Sequence, residues 1–195
     1  NRMIFSNDET GDLQENITKP SRQTYRFKVD YAVPLNDQFK LNTGLHARRQ
    51  STQNTELDNF RYTDTSLAAY GTLDYRSTTL DLQVGLRAER YRYGIRDGLR
   101  NTLTGLFPNA AVSYTLPATT QTIKLSYRRS VRYPYLYQLN PGRFFEDPYA
   151  YRTGNTSLDP SFIHDVSLEY ARLFGNTHLS AMLFYSRKDP GQRPR

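Results

Sequence analysis

Apolar side chains recur at every second position in eight segments of the chain, which is the period of a β-strand with one apolar face. The clearest segment is residues 80–89, where even positions hold Leu, Leu, Val, Leu and Ala and odd positions hold Asp, Gln, Gly, Arg and Glu. The segments are residues 23–34, 39–49, 66–76, 80–89, 108–116, 122–130, 163–174 and 177–186. Met182 and Phe184 interrupt the alternation in the last one. The pattern predicts an all-β protein of about eight amphipathic strands.

The connections between these segments alternate between short and long. Short connections are predicted at residues 35–38, 77–79, 117–121 and 175–176, and long polar ones at 50–64, 93–105 and 131–160. Tight turns at one end and extended loops at the other are typical of bacterial outer-membrane barrels. The order therefore predicts an antiparallel transmembrane β-barrel segment.

The strands, and not a helix, are the predicted membrane spans. The longest uninterrupted apolar stretch is residues 181–185, whereas a spanning helix needs about 20 residues. A spanning strand needs only about 9 to 11 residues with alternate ones apolar. Because Lys or Arg facing lipid at the midplane costs about 2–4 kcal/mol, the charged parity is expected to face a polar lumen. The expected lumen-facing charges are Arg48, Asp74, Arg87, Glu89, Lys124, Arg128 and Glu169.

Composition changes this picture little. The chain has 37% hydrophobic and 23% charged residues, with 16 Tyr, 10 Phe and no Trp. Tyrosine suits an interface between lipid and water. Without cysteine there is no disulfide scaffold or thiolate metal site. The net charge of +7 is scattered along the chain, which gives no support for nucleic-acid binding.

The chain carries no sequence signature of catalysis. Its three histidines lie on different segments without metal-ligand spacing, so neither a metal site nor a cofactor is predicted. No nucleophile motif is present, and we expect that the protein is not an enzyme.

The long connection at residues 131–160 mixes aromatic side chains with arginines, a combination that suits an organic ligand held by stacking and charge. An alternative is that these aromatic residues only pack the loop onto the barrel wall. The candidate ligand-binding residues are Arg132, Tyr133, Tyr135, Tyr137, Arg143, Phe144, Phe145, Tyr149, Tyr151 and Arg152.

Several stretches resemble the barrel region of TonB-dependent outer-membrane receptors, especially the outer-membrane β-barrel proteins of the Bacteroidetes type. They include RFKVDYAVPLNDQFKLNTGLHAR, LDLQVGLRAERY, LFPNAAVSYTL, IKLSYRRSVRYPYLYQLNP and DPYAYRTGNTSLDP. The last stretch contains a Gly-Asn-x-x-Leu-x-Pro element that begins at Gly154 and ends at Pro160. Thr156 departs from the family, which often has Pro there.

The resemblance implies a 22-strand barrel around an N-terminal plug, located in the outer membrane. Its implied partners are outer-membrane lipid, the plug, the TonB complex and a cargo such as a siderophore or an oligosaccharide. The chain is then expected to be a fragment of such a receptor. Residues 1–22 would be a loop or the end of a preceding hairpin, residues 23–187 the barrel strands, and residues 188–195 a truncated tail.

Two alternatives remain open at this point. A complete eight-stranded barrel with a structural or adhesive role would pair the first strand, near Tyr25, with the last, near Leu183. A soluble two-sheet protein that binds polymer or nucleic acid would instead bury its apolar faces in a core.

Overall fold

A computed structural model describes residues 2–6, 13–17, 20–54, 60–95, 100–139, 143–147, 150–155 and 158–190. Its secondary structure is almost entirely β, with one short helix. The elements are β1 (Arg2–Ser6), β2 (Leu13–Ile17), β3 (Pro20–Pro34), β4 (Phe39–Asn54), β5 (Phe60–Arg76), β6 (Leu80–Ile95), β7 (Arg100–Thr115), β8 (Gln121–Arg132), α1 (Leu136–Leu139), β9 (Arg143–Asp147), β10 (Ala150–Thr153), β11 (Ser161–Phe174) and β12 (Thr177–Pro190). The helix is too short and too polar to cross a membrane, and the described residues contain no helix that could.

The eight long strands form one antiparallel sheet in the order β12-β11-β8-β7-β6-β5-β4-β3. Neighbours in the sheet are also neighbours along the chain, except that β9 and β10 lie between β8 and β11. The pairs β1–β2 and β9–β10 form separate two-stranded sheets. The prediction of eight antiparallel strands is confirmed.

The register of the sheet collects the apolar side chains on one face. Leu82 lies opposite Val112, Val112 opposite Leu125, and Leu125 opposite Leu168. Leu168 in turn lies opposite Leu183 at the edge of the sheet. Residues directly opposite in an antiparallel pair share a face, so an apolar row runs across the strands. We call this side the apolar face and the opposite side the polar face.

The short connections form tight turns close to their predicted positions. In the first, Asn36 Oδ1 accepts hydrogen bonds from the backbone N–H groups of Gln38 (2.9 Å) and Phe39 (2.8 Å). In the last, Gly175 adopts a positive φ of 54°, a conformation that glycine reaches without steric cost.

Two of the predicted long loops are wrong over most of their length. β4 continues to Asn54 and β5 begins at Phe60, so strand replaces most of residues 50–64. Likewise β6 continues to Ile95 and β7 begins at Arg100, within the predicted loop 93–105. In these stretches the apolar residues no longer lie on one face, so the sequence shows no period of two although the strands remain paired. The sheet also runs from residue 20 to 190, slightly beyond the predicted 23–187.

The sheet is open. Among the described residues, β3 pairs only with β4 and β12 only with β11, as expected for a piece of a larger barrel. The first and last strands therefore do not close an eight-stranded barrel. The apolar face is also uncovered, since the exposed fractions of Phe27 and Val84 are 62% each. That exposure excludes a soluble sandwich whose apolar faces meet in a core.

Candidate ligand-contacting wall and loop

Ion pairs and hydrogen bonds hold the polar face together, both within strands and between neighbouring ones. Arg48 Nη2 lies 2.8 Å from Asp64 Oδ1, and the Asp64 side chain is only 3% exposed. Arg87 Nη2 lies 2.7 Å from Glu89 Oε2, while Ser66 Oγ donates to Glu89 Oε1 at 2.6 Å. Buried charges that are paired and hydrogen-bonded in this way hold one side-chain arrangement. The wall therefore presents a fixed pattern of charge.

The chain between β8 and β11 folds back onto this polar face. The ring of Tyr133 stacks on Tyr91 with centroids 3.7 Å apart, and its hydroxyl donates to Glu89 at 3.3 Å. Tyr93 donates to the backbone oxygen of Leu158 at 3.2 Å, and Leu139 is 2% exposed. The packed residues, which we call the loop-wall cluster, are Tyr62, Tyr91, Tyr93, Tyr133, Leu139 and Leu158.

Burial favours the neutral form of three hydroxyl groups in this cluster. It raises the pKa of Tyr62 to about 12, and it also raises the pKa of Tyr91 and of Tyr133. Burial also raises the pKa of Asp64, an effect that Arg48 opposes. Because removing water disfavours the charged form, the tyrosines act as hydrogen-bonding neutral groups over the physiological pH range.

The candidate loop residues fall into groups. Tyr133 is half-buried in the loop-wall cluster, as the packing alternative expected, whereas Arg132, Tyr135, Tyr151 and Arg152 are exposed. The hairpin pairs Arg143 with Thr153, Phe144 with Arg152 and Phe145 with Tyr151 along the backbone. Tyr137 lies in α1, and Tyr149 lies outside the described residues. Their contact with a ligand stays a prediction.

All seven predicted lumen-facing charges lie on the polar face, in three groups. Arg48, Arg87 and Glu89 lie towards the long-loop end, beside the loop-wall cluster. Lys124 pairs in register with Glu169, and Arg128 with Asp165, further across the sheet. Asp74 accepts hydrogen bonds from Asn42 (2.6 Å) and Gln83 (2.8 Å). Both signs of charge alternate along the wall.

A cleft of about 630 Å³ lies over the centre of the polar face. Its lining combines charged and amide side chains with aromatic rings, and the residues that set this chemistry are Arg87, Glu89, Phe107, Asn109, Lys124, Arg128 and Tyr133. A concave surface of this size, with a few converging polar groups, suits a small polar organic ligand. Within the described part of the chain, no three side chains of His, Asp or Glu come together as a metal site.

The sequence patterns did not identify Tyr62, Asp64, Tyr91 and Tyr93: the first two and Tyr93 fall in segments predicted as loop, and Tyr91 lies just beyond the end of the predicted strand 80–89. One signal could have found the last two. Tyr91 and Tyr93 continue the odd parity that places Arg87 and Glu89 on the polar face of β6.

Comparison with known proteins identifies the family of the chain. The model of the outer membrane protein beta-barrel family matches residues 2–194. The chain therefore belongs to this family and is located in the bacterial outer membrane. No curated protein shows significant sequence similarity to it.

Solved structures match the fold over most of the chain. The siderophore receptor PirA from Pseudomonas aeruginosa has a TM-score of 0.68 and 20% identity, covering 89% of this chain and 33% of that one. The copper transporter OprC has a TM-score of 0.71 and 15% identity, covering 87% and 30%. The FrpB iron transporter from Neisseria meningitidis (F3-3 variant) has a TM-score of 0.69 and 15% identity, covering 87% and 28%.

The chain thus spans about a third of the length of the structures it matches. At this identity the likeness concerns the fold, and it confirms the resemblance to the barrels of TonB-dependent receptors. The open sheet is a section of the wall of a larger transmembrane barrel. The Bacteroidetes subtype stays a prediction.

Proposed function

We propose that this chain forms part of the barrel wall and an outer loop of a TonB-dependent receptor that takes up a small metal chelate of the siderophore class. The match of the open eight-stranded sheet to about a third of a siderophore receptor carries the proposal. The other two structures are a copper transporter and an iron transporter. An oligosaccharide is the second candidate cargo, since hydroxyl-rich ligands also suit the mixed polar lining.

The polar face supports this role through its charge distribution. A small chelate that passes along a barrel wall needs several weak contacts of either sign, so that it is not held at one position. Arg87 and Glu89 pair with each other at 2.7 Å, and Lys124 lies opposite Glu169. Paired charges attract ligands less strongly than isolated ones, because their fields partly cancel.

The loop supports it through its exposed arginine and aromatic side chains. Tyr133 anchors the loop to the wall, while Arg132 and Tyr135 next to it stay exposed. Exposed Tyr151 and Arg152 lie on the β9–β10 hairpin. Arginine pairs with the anionic oxygens of an iron chelate, and tyrosine stacks on its aromatic groups. These four side chains are the proposed first contacts with cargo.

Uptake by the full-length receptor tests the proposal. Cells that lack their own receptors and express this one are given radiolabelled iron bound to hydroxamate or catecholate chelators. We expect accumulation that stops when the TonB complex is deleted or the membrane is de-energised. The variant Arg132→Ala/Arg152→Ala should raise the half-saturating concentration at least about fivefold, while Lys188→Ala, an exposed charge on β12, should not.

Three outcomes decide between the candidates. Energised uptake of an oligosaccharide without uptake of any chelate would replace the cargo class and keep the receptor. Accumulation that does not depend on TonB would contradict a TonB-dependent receptor. A normally inserted protein that binds neither cargo class would favour a structural role.

A further inference from the structure

The apolar face carries charge of almost one sign. Among the described residues of the eight-stranded sheet, the parity of the apolar face includes no lysine and one carboxylate, that of Asp189. Its arginines are Arg49, Arg61, Arg90, Arg92, Arg100, Arg129, Arg172 and Arg187. The polar face, in contrast, mixes acids and bases. Its acidic residues are Asp30, Asp64, Asp74, Asp81, Glu89, Asp165 and Glu169.

Five of these arginines lie at one level of the membrane. They lie about nine to thirteen residues along their strands from the nearest short turn, close to the length of about ten residues that spans the hydrocarbon core. Short turns mark the periplasmic end of such barrels. The five therefore lie at the headgroups of the outer leaflet, and we call them the arginine belt: Arg49, Arg90, Arg92, Arg129 and Arg187.

Most of the belt has no partner within the described part of the chain. Arg49, Arg90 and Arg92 are exposed and form no ion pair there. Arg129 lies over the Phe162 ring at 4.4 Å, and Arg187 pairs with Asp189 at 2.9 Å. Unpaired guanidinium groups that face outwards at a membrane surface are available to anions of the lipid.

The spacing of the three free arginines suits a ligand with more than one phosphate. Arg49 and Arg92 both lie beside Thr65, one on either side, so they are two strand spacings apart, or about 10 Å. Arg90 lies opposite Leu67, two residues closer to the short turn along β6 than Arg92. Threonine hydroxyls surround them at Thr65, Thr102 and Thr104, and hydroxyls donate to and accept from sugar hydroxyl groups.

We propose that the arginine belt binds the phosphate groups of a phosphorylated glycolipid in the outer leaflet. Arginine forms paired hydrogen bonds with phosphate, whereas lysine acts as a point charge, and the belt consists of arginine alone. Two phosphates on one sugar headgroup reach both Arg49 and Arg92, which a phospholipid with a single phosphate does not. This surface lies on the opposite side of the sheet from the proposed cargo contacts and does not depend on them.

Lipid binding by the complete barrel protein tests the proposal. The purified protein in neutral detergent is titrated with a diphosphorylated diglucosamine lipid, its dephosphorylated form and phosphatidylglycerol, and bound lipid is counted by native mass spectrometry. The test variant is Arg49→Gln/Arg90→Gln/Arg92→Gln. The control variant, Arg26→Gln/Lys40→Gln/Lys188→Gln, removes three exposed positive charges from the polar face.

We expect the diphosphorylated lipid to bind the test variant at least about tenfold more weakly than the wild type or the control. The dephosphorylated lipid should bind all three proteins equally weakly. Equal affinity of the test variant and the wild type would overturn the proposal, as would binding of phosphatidylglycerol as tightly as the diphosphorylated glycolipid. Heat-modifiable migration of each variant on a gel verifies that the barrels are folded before they are compared.

Discussion

The two halves of the same sheet bury opposite faces. We call the half of the sheet next to the short turns the turn half. There Val84 on the apolar face is 62% exposed in the protein alone and is positioned to contact lipid. In the half next to the long connections, the loop half, Tyr91 on the polar face is 3% exposed because a loop covers it. The backbone ladder runs through both halves from β3 to β7, whereas β7 and β8 pair only over residues 109–115 of β7. The covering medium, lipid in one half and protein in the other, therefore decides which side chains each half buries.

The largest expected effect comes from a charge placed on the apolar face of the turn half. Val84→Arg puts a guanidinium group near the bilayer midplane and should lower the free energy of unfolding by about 2–4 kcal/mol. Thr102→Arg, on the same face in the loop half, should change it by less than about 1 kcal/mol. Urea unfolding of the complete barrel in lipid vesicles measures both. Equal losses would mean that lipid does not cover the turn half selectively.

Close packing on the polar face of the turn half gives the next effect. A Cβ atom on Gly44 would lie 2.7 Å from the backbone oxygen of Val29 and would collide with the Tyr70 hydroxyl. Gly44→Ala should therefore cost about 1–3 kcal/mol of unfolding free energy.

Gly71→Ala is the matched control, because the nearest atom to its Cβ would be 3.9 Å away. It should be neutral or slightly stabilising in the same unfolding experiment. A cost at Gly71 as large as that at Gly44 would show that glycine is needed for a reason other than space.

In the loop half we expect a local effect. Tyr133→Ala removes the stack on Tyr91 and the hydrogen bond to Glu89, each worth about 0.5–1.5 kcal/mol. Hydrogen exchange of the loop amides should speed up about five- to 150-fold, while the strands of the turn half keep their protection. Tyr135→Ala, at a residue that is 59% exposed, is the control. Faster exchange throughout the sheet would contradict a local role.

The smallest effect is a pH dependence of the loop half. The pKa of Tyr62 is raised by burial from about 10 to about 12, so folding favours its protonated form. Its contribution to loop docking is complete below pH 10 and is lost as the pH rises through about 12. An absorbance titration of tyrosinate should show a delayed fraction that is smaller in Tyr62→Phe. The same titration curve for both proteins would contradict the burial of this hydroxyl.

How far the sequence predicted the fold differs between the halves. In the turn half lipid and water impose a strict period of two, so residues 80–89 show their faces directly. In the loop half, Thr63 and Thr65 on one face alternate with Tyr62 and Asp64 on the other. Neither set is aliphatic, so this segment was wrongly predicted as loop. The candidate loop residues were found by composition, and their separation into anchoring and exposed side chains required the fold.

The pattern of apolar and polar residues was enough to predict the strand count, the short turns, the apolar face and the face on which the seven predicted charges lie. Each depends on nearest neighbours and on a period of two residues, which a linear pattern contains. The fold was needed to show that Tyr133 stacks on Tyr91, that Arg48 pairs with Asp64, and that Arg49 and Arg92 flank Thr65. These contacts join residues far apart in the chain, and strand register, which no local pattern encodes, brings them together.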